Sequence, residues 1–87
     1  MNLLLLVVFD KQDGVTCLAW IGSSRYVASG CIDGTVHIWD SLSRELARML
    51  SGHRDAVQSL AVSADGNSIV SVSSDMSARV FDISMFK

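Results

Sequence analysis

The chain has 87 residues, room for one small domain at most, and its 49% apolar content excludes a disordered polymer. The net charge is −2 and the seven basic residues (Lys11, Arg25, Arg44, Arg48, Arg54, Arg79, Lys87) are scattered, which argues against a nucleic-acid-binding face. Eight of the nine acidic residues are Asp and there is no Pro, a balance that favours many turns between short strands over helices.

The first run, Leu3–Phe9, is apolar throughout. It is too short to span a bilayer as a helix. It also lacks the basic n-region and small-residue cleavage site of a signal peptide. It reads as a buried strand. Turn signals then arrive every 8–12 residues: Asp13-Gly14, Gly22-Ser23-Ser24, Asp33-Gly34, Ser41 to Ser43, Ser51-Gly52, Asp65-Gly66-Asn67 and Ser73 to Ser77. The runs between them are predicted as strands at Val15–Ile21, Tyr26–Cys31, Thr35–Asp40, Glu45–Leu50, Val57–Val62, Ser68–Ser73 and Ser77–Asp82. Along Thr35–Trp39 the residues alternate, placing Val36 and Ile38 on one face and His37 and Trp39 on the other. No window holds a helical apolar stripe for three turns. Links of hairpin length imply antiparallel meanders, so the fold class is all-β.

Two stretches repeat each other at an offset of 42 residues. Asp13, Val15, Leu18, Ala19, Ser29, Asp33 and Asp40 recur as Asp55, Val57, Leu60, Ala61, Ser71, Asp75 and Asp82. Ile38-Trp39-Asp40 recurs as Val80-Phe81-Asp82, and at the same offset Leu3–Phe9 aligns with Glu45–Ser51. A period in the 40s marks a repeat architecture, and repeat arrays mostly build binding surfaces.

Cys17 and Cys31 lie in apolar or small-residue runs and read as buried core residues of a cytosolic protein. With His37 and His53 they give C-x13-C-x5-H-x15-H, which lacks the close ligand pairs of a structural zinc site. No phosphate loop, paired carboxylates or metal cluster is apparent, so no cofactor or metal is expected.

The segment Ser29-Gly30-Cys31-Ile32-Asp33-Gly34-Thr35-Val36-His37-Ile38-Trp39-Asp40 strongly resembles the signature of the WD-repeat family. Gly52-His53, Val57, Asp65-Gly66, Ser74-Asp75 and Val80-Phe81-Asp82 resemble a second copy. Within that family, Trp20 to Cys31 is similar to a late repeat of plant-type members of the angio-associated migratory cell protein group. Ala78-Arg79-Val80-Phe81 is similar to that group's C-terminal finish. The resemblance implies two antiparallel blades, of the four-stranded type, from an incomplete β-propeller, a protein-interaction platform. Residues 1–12 would be a last-type strand of a preceding blade plus linker, residues 13–51 the first repeat and residues 52–87 the second.

In such blades a His, a Ser or Thr, the turn Asp and the Trp form a buried hydrogen-bond network. The resemblance maps it onto His53, Ser71 and Asp75 in the second repeat, where Phe81 replaces Trp. In the first repeat it maps onto Ser29, Asp33 and Trp39, with Asp10-Lys11 where Gly-His belongs. A Ser, a His and an Asp could also form an acyl-transfer triad. No nucleophile elbow or oxyanion hole accompanies them, so no enzyme is expected.

The resemblance also implies a partner-binding face at Arg54, Asp55, Gln58 and Ser74, and at Lys11, Asp13, Thr16 and Ile32. The partner expected is a protein, with neither nucleic acid nor membrane involved. The location expected is the cytoplasm, with the nucleus as the alternative. Two repeats cannot close a ring of four to eight blades, so self-association or completion by another WD-repeat chain is also expected. The phase of the repeats leads us to expect a natural C-terminus and an N-terminus cut from a longer protein. The competing reading is a truncated propeller fragment without autonomous function.

Overall fold

The computed structural model describes residues 14–87. Seven strands and one short 3₁₀ turn follow one another: β1 (Val15–Trp20), β2 (Tyr26–Cys31), β3 (Val36–Asp40), β4 (Glu45–Leu50), β5 (Val57–Val62), β6 (Ser68–Ser73), β7 (Ala78–Asp82) and the turn Ser84–Phe86. They form two antiparallel meanders, a four-stranded sheet ordered β1-β2-β3-β4 and a three-stranded sheet ordered β5-β6-β7. Each sheet is one blade. The run Leu3–Phe9, expected as a strand, lies outside the described residues.

Two strands start one residue later than the sequence suggests, at Val36 and Ala78 instead of Thr35 and Ser77. The cause is the turn aspartate before each. The Thr35 amide donates to Asp33 Oδ1 at 3.1 Å and the Ser77 amide to Asp75 Oδ1 at 2.9 Å. These amides close Asx turns. The turns share a left-handed backbone at the residue after the aspartate but fill it with different side chains. Gly34 sits at φ 90°, and a Cβ there would lie 2.6 Å from the carbonyl oxygen of His53. Met76, at the matching place in the second blade, also sits at a positive φ, 70°.

The core lies between the blades. Ala28, Val36 and Ile38 of the first blade pack on Val57 and Ile69 of the second, with Leu60, Val62 and Phe81 at the margin. Fully burying an aliphatic side chain contributes roughly 1.5–3 kcal/mol, so this seam is the main source of cohesion. The first strand of the second blade, β5, lies against β1 and β2, and Gly30 of β2 leaves no room there for a side chain: a Cβ on it would lie 2.6 Å from Val57 Cγ1. Thr16 Oγ1 crosses the seam and donates to the Val57 carbonyl at 2.5 Å. At the far side Ile83 and Phe86 complete the cluster, and the Phe86 ring meets Tyr26 edge-on with centroids 5.1 Å apart. The 3₁₀ turn, which periodicity did not foresee, thus ties the end of the second blade to the first.

Candidate functional site

Antiparallel order fixes which loops share an end. The start of β1, the β2–β3 turn, the β4–β5 loop and the β6–β7 turn all emerge at one end of the two sheets. Hydrogen bonds join them. The Ile32 amide donates to the Gly14 carbonyl at 2.8 Å, and the Ser74 amide to the Ala56 carbonyl at 2.9 Å. Because Gly34 abuts the carbonyls of His53 and Asp55, the loops of both blades form one continuous surface.

Beneath that surface lies the hydrogen-bond network of the second blade. The imidazole of His53, buried, has Nε2 2.6 Å from Ser71 Oγ and Nδ1 3.4 Å from Asp75 Oδ2. Ser77 Oγ stands 3.1 Å from the same Nδ1. The consistent proton assignment has Ser71 donating to Nε2 and Nδ1–H donating to Asp75. Asp75 also accepts from the Arg54 amide at 2.8 Å. Its carboxyl is held well below the usual range, first by the Ser77 hydroxyl and then by the Arg54 amide. One carboxylate therefore anchors its own turn, the neighbouring β4–β5 loop and the buried imidazole.

The connectivity Ser71–His53–Asp75 matches that of a nucleophilic triad. Its setting does not, because Ser71 has no solvent exposure and its hydroxyl is committed to His53. A carbonyl carbon has no way to reach it. Among the described residues no group of three or more His, Cys, Asp or Glu side chains could hold a metal ion.

The first blade assembles differently. Trp39 Nε1 donates directly to Ser29 Oγ at 3.2 Å, in a buried contact. The structure does not bring Asp33 to that pair. Asp33 is exposed and accepts from the Thr35 amide and hydroxyl, the latter at 2.6 Å. The matching serines thus play opposite parts, Ser29 accepting from Trp39 and Ser71 donating to His53.

Of the residues expected on the partner-binding face, Thr16, Ile32, Arg54, Asp55, Gln58 and Ser74 are all exposed at the loop end. Lys11 and Asp13 lie outside the described residues. Thr16 already spends its hydroxyl on the interblade bond, and the Gln58 amide donates to Ser74 Oγ. Sequence reading missed Met76, which is 96% exposed on this same end. The signal was available: Met76 replaces the Gly34 of the first repeat, so an apolar side chain stands on a turn that favours glycine.

Two repeated antiparallel meanders, packed face to face with a buried His–Ser–Asp network, define a β-propeller segment. The family model for the WD domain, G-beta repeat, matches residues 4–40 and 44–82. The chain belongs to the WD-repeat family. It is 36% identical over 69 residues to the retinoblastoma-binding protein 5 homolog of Drosophila melanogaster, covering 79% of this chain and 14% of that protein. It is 30% identical over 71 residues to eukaryotic translation initiation factor 3 subunit I of Culex quinquefasciatus, covering 82% of this chain and 22% of that protein. The chain therefore spans less than a quarter of the length of these relatives. Among solved structures, the Cps50 (Swd1) beta-propeller domain of Myceliophteria thermophila superposes with a TM-score of 0.78 at 32% identity, over 87% of this chain and 24% of that one. The computationally designed Ika4 protein gives 0.69 at 36% identity, over 79% of this chain and 41% of that one.

Proposed function

We propose that the chain is a two-blade part of a non-catalytic protein-interaction scaffold, and that it meets a protein partner with its loop end. The observation that carries this reading is the continuous exposed surface built from both blades. Ile32, 60% exposed, and Met76 stand there as apolar points, with Arg54, Asp55, Gln58 and Ser74 beside them. Apolar anchors within a polar surround are the usual make-up of a protein-binding patch. Membership of the WD-repeat family, whose propellers serve as interaction platforms, supports the same reading.

The relatives named above include a translation initiation factor subunit and a retinoblastoma-binding protein homolog, which favour a protein partner in the cytoplasm or the nucleus. The finer kinship, to the angio-associated migratory cell protein group, rests on Trp20–Cys31 and Ala78–Phe81 alone. A photo-crosslinking residue at Met76 tests the proposal. Discrete protein adducts, reduced by Ile32→Asp with the fold intact by circular dichroism, are expected. Adducts with nucleic acid only, or none, would overturn it. Packing of the second blade against a further blade is favoured by a separate observation, a face of β7 that no described residue covers, where Val80 is 69% exposed.

A further inference from the structure

The β4–β5 loop carries a pair of residues that the histidine network does not use. Ser51 follows Arg48 by three positions, and no other Ser or Thr of the chain has a basic residue three positions before it. Ser51 is exposed and lies just past the end of β4, outside the strand ladder. Its hydroxyl has no hydrogen-bond partner among the described residues. Arg48 is exposed too, with its guanidinium 5.8 Å from the centre of the Phe86 ring. Among the described residues β4 is the outermost strand of its sheet, and five of its six residues are exposed. Arg48 to Ser51 is therefore an extended segment that can be reached from outside. A protein kinase takes its substrate as such a segment, and charge pattern around the accepting hydroxyl is how it selects.

A second observation shows what a phosphate on Ser51 would meet. Gly52, the next residue, sits at φ 147°, and a Cβ there would lie 2.9 Å from Cζ and Nε of Arg79 and 3.0 Å from its Nη1. The guanidinium thus rests against the backbone beside Ser51. Packing on Gly52 accounts for where Arg79 lies but not for its charge, which no carboxylate answers among the described residues. Successive Cα atoms are about 3.8 Å apart and a phosphoserine side chain reaches about 4 Å from its own Cα, so side-chain rotation alone brings the two groups together. Arginine meets phosphate with parallel N–H donors, in bonds about twice as strong as those between neutral groups. Such a contact would fasten the loop between the blades to β7.

We propose that Ser51 is a phosphorylation site for an arginine-directed serine/threonine protein kinase, and that Arg79 receives the phosphate. Ser51 Oγ attacks the γ-phosphorus of ATP. The new O–P bond forms as the bond to the β,γ-bridging oxygen breaks, ADP leaves, and the hydroxyl proton passes to the carboxylate base of the kinase. The product adds about −1.5 to −2 of charge to the β4–β5 loop at pH 7. Nothing in this depends on a partner at the loop end.

The test incubates the 87-residue chain with a calcium- and calmodulin-activated protein kinase and Mg-ATP, then digests it with trypsin. Phosphate is expected on the fragment Met49–Arg54, whose only hydroxyl side chain is Ser51. Arg48→Gln, folded by circular dichroism, should lower kcat/KM for phosphorylation roughly tenfold or more. Titration of the product by phosphorus NMR reads the contact with Arg79. The second phosphate pKa, about 6 for a solvated phosphoserine, should fall below about 5.5, and Arg79→Gln should restore it to about 6. Phosphate on other fragments only, no phosphate at all, or indifference to Arg48→Gln in a folded chain would overturn the site. The fragment assignment needs no variant, so it decides the matter even if Arg48→Gln does not fold. A phosphate pKa near 6 that Arg79→Gln leaves unmoved would overturn the role of Arg79. Loss of the Met76 adducts would leave these outcomes untouched, so the two readings fail separately.

Discussion

The two blades share a strand plan and part over one residue. In the second, His53 lies buried beneath the loop end and draws the turn aspartate Asp75 into contact with the interior. In the first, position 11 carries Lys where the second has His53, and among the described residues the matching Asp33 is exposed and bonds within its own turn. The first blade instead joins Trp39 to Ser29 directly, a bond that Phe81 has no N–H to make with Ser71. The buried serines thus take different ring partners, Trp39 for Ser29 and His53 for Ser71. The histidine route also ties the β4–β5 loop to the β6–β7 turn, because the Arg54 amide shares the Asp75 carboxylate. In the second blade the imidazole and the Arg54 amide together hold the turn aspartate against the interior.

The sharpest way to break the comparison is His53→Ala. It strands Ser71, which is wholly buried, and leaves Asp75 without its inward partner. The expected loss is about 1–3 kcal/mol by denaturant unfolding, the cost of an unpaired buried polar group. A loss under about 0.3 kcal/mol would show the network to be energetically idle. Asp75→Ala should destabilise more than Asp33→Ala, since Asp75 joins a turn, a loop and a buried imidazole while the described bonds of Asp33 close an exposed Asx turn. Equal costs for the two aspartates would erase the distinction between the blades.

Next in size is Met76→Gly, which makes the second turn resemble the first. A left-handed backbone costs a side-chain-bearing residue about 1–2 kcal/mol, and Met76 offsets none of this by burial. The variant should melt higher, by about 1 kcal/mol of stability, while losing the apolar point on the loop end. Unchanged or lower stability would mean that the turn gains something from Met76 that its exposure does not reveal.

Much of this was legible in the chain. The 42-residue repeat and the spaced turn aspartates placed all seven described strands to within a residue, because each strand is bounded by Gly, Asp or Ser clusters. The grouping of His53, Ser71 and Asp75 followed from family spacing. What stayed hidden depends on packing between residues remote in sequence. Nothing local says that Asp33 is exposed while Asp75 meets a buried imidazole. The role of Gly30 shows only when Val57 is placed against it. The contact of Phe86 with Tyr26 joins residues sixty apart, and no periodicity announces it.

The smallest effect, and the finest probe of the comparison, is the pH dependence of melting. His37, with Nδ1 3.3 Å from Cys31 Sγ in the first blade, is pushed below its ordinary 6.5 by burial, against a weaker upward pull from Asp33. As pH falls through 6.5 the unfolded chain takes up this proton before the folded one does. Stability therefore declines on acidification from that point and is unaffected by His37 above it. Burial also raises Cys31 above 9.0, so the unfolded chain releases that proton first and stability declines as pH rises past 9.0. Asp75 behaves in the opposite sense to Cys31. Its depressed carboxyl contributes stability that is present above the ordinary 3.8 and lost as pH falls below it. The first blade should thus set the shallow edges near 6.5 and 9, while the acid edge is shared, since Asp33, Asp40, Asp65 and Asp82 are also held below the ordinary range, with Asp75 the most strongly depressed. His37→Gln should remove the step near 6.5 from a plot of melting temperature against pH while leaving the acid edge in place, and Asp75→Asn should make the acid edge shallower while leaving the step near 6.5. If either substitution flattened both regions, the two blades would be titrating as one unit and not as separate networks.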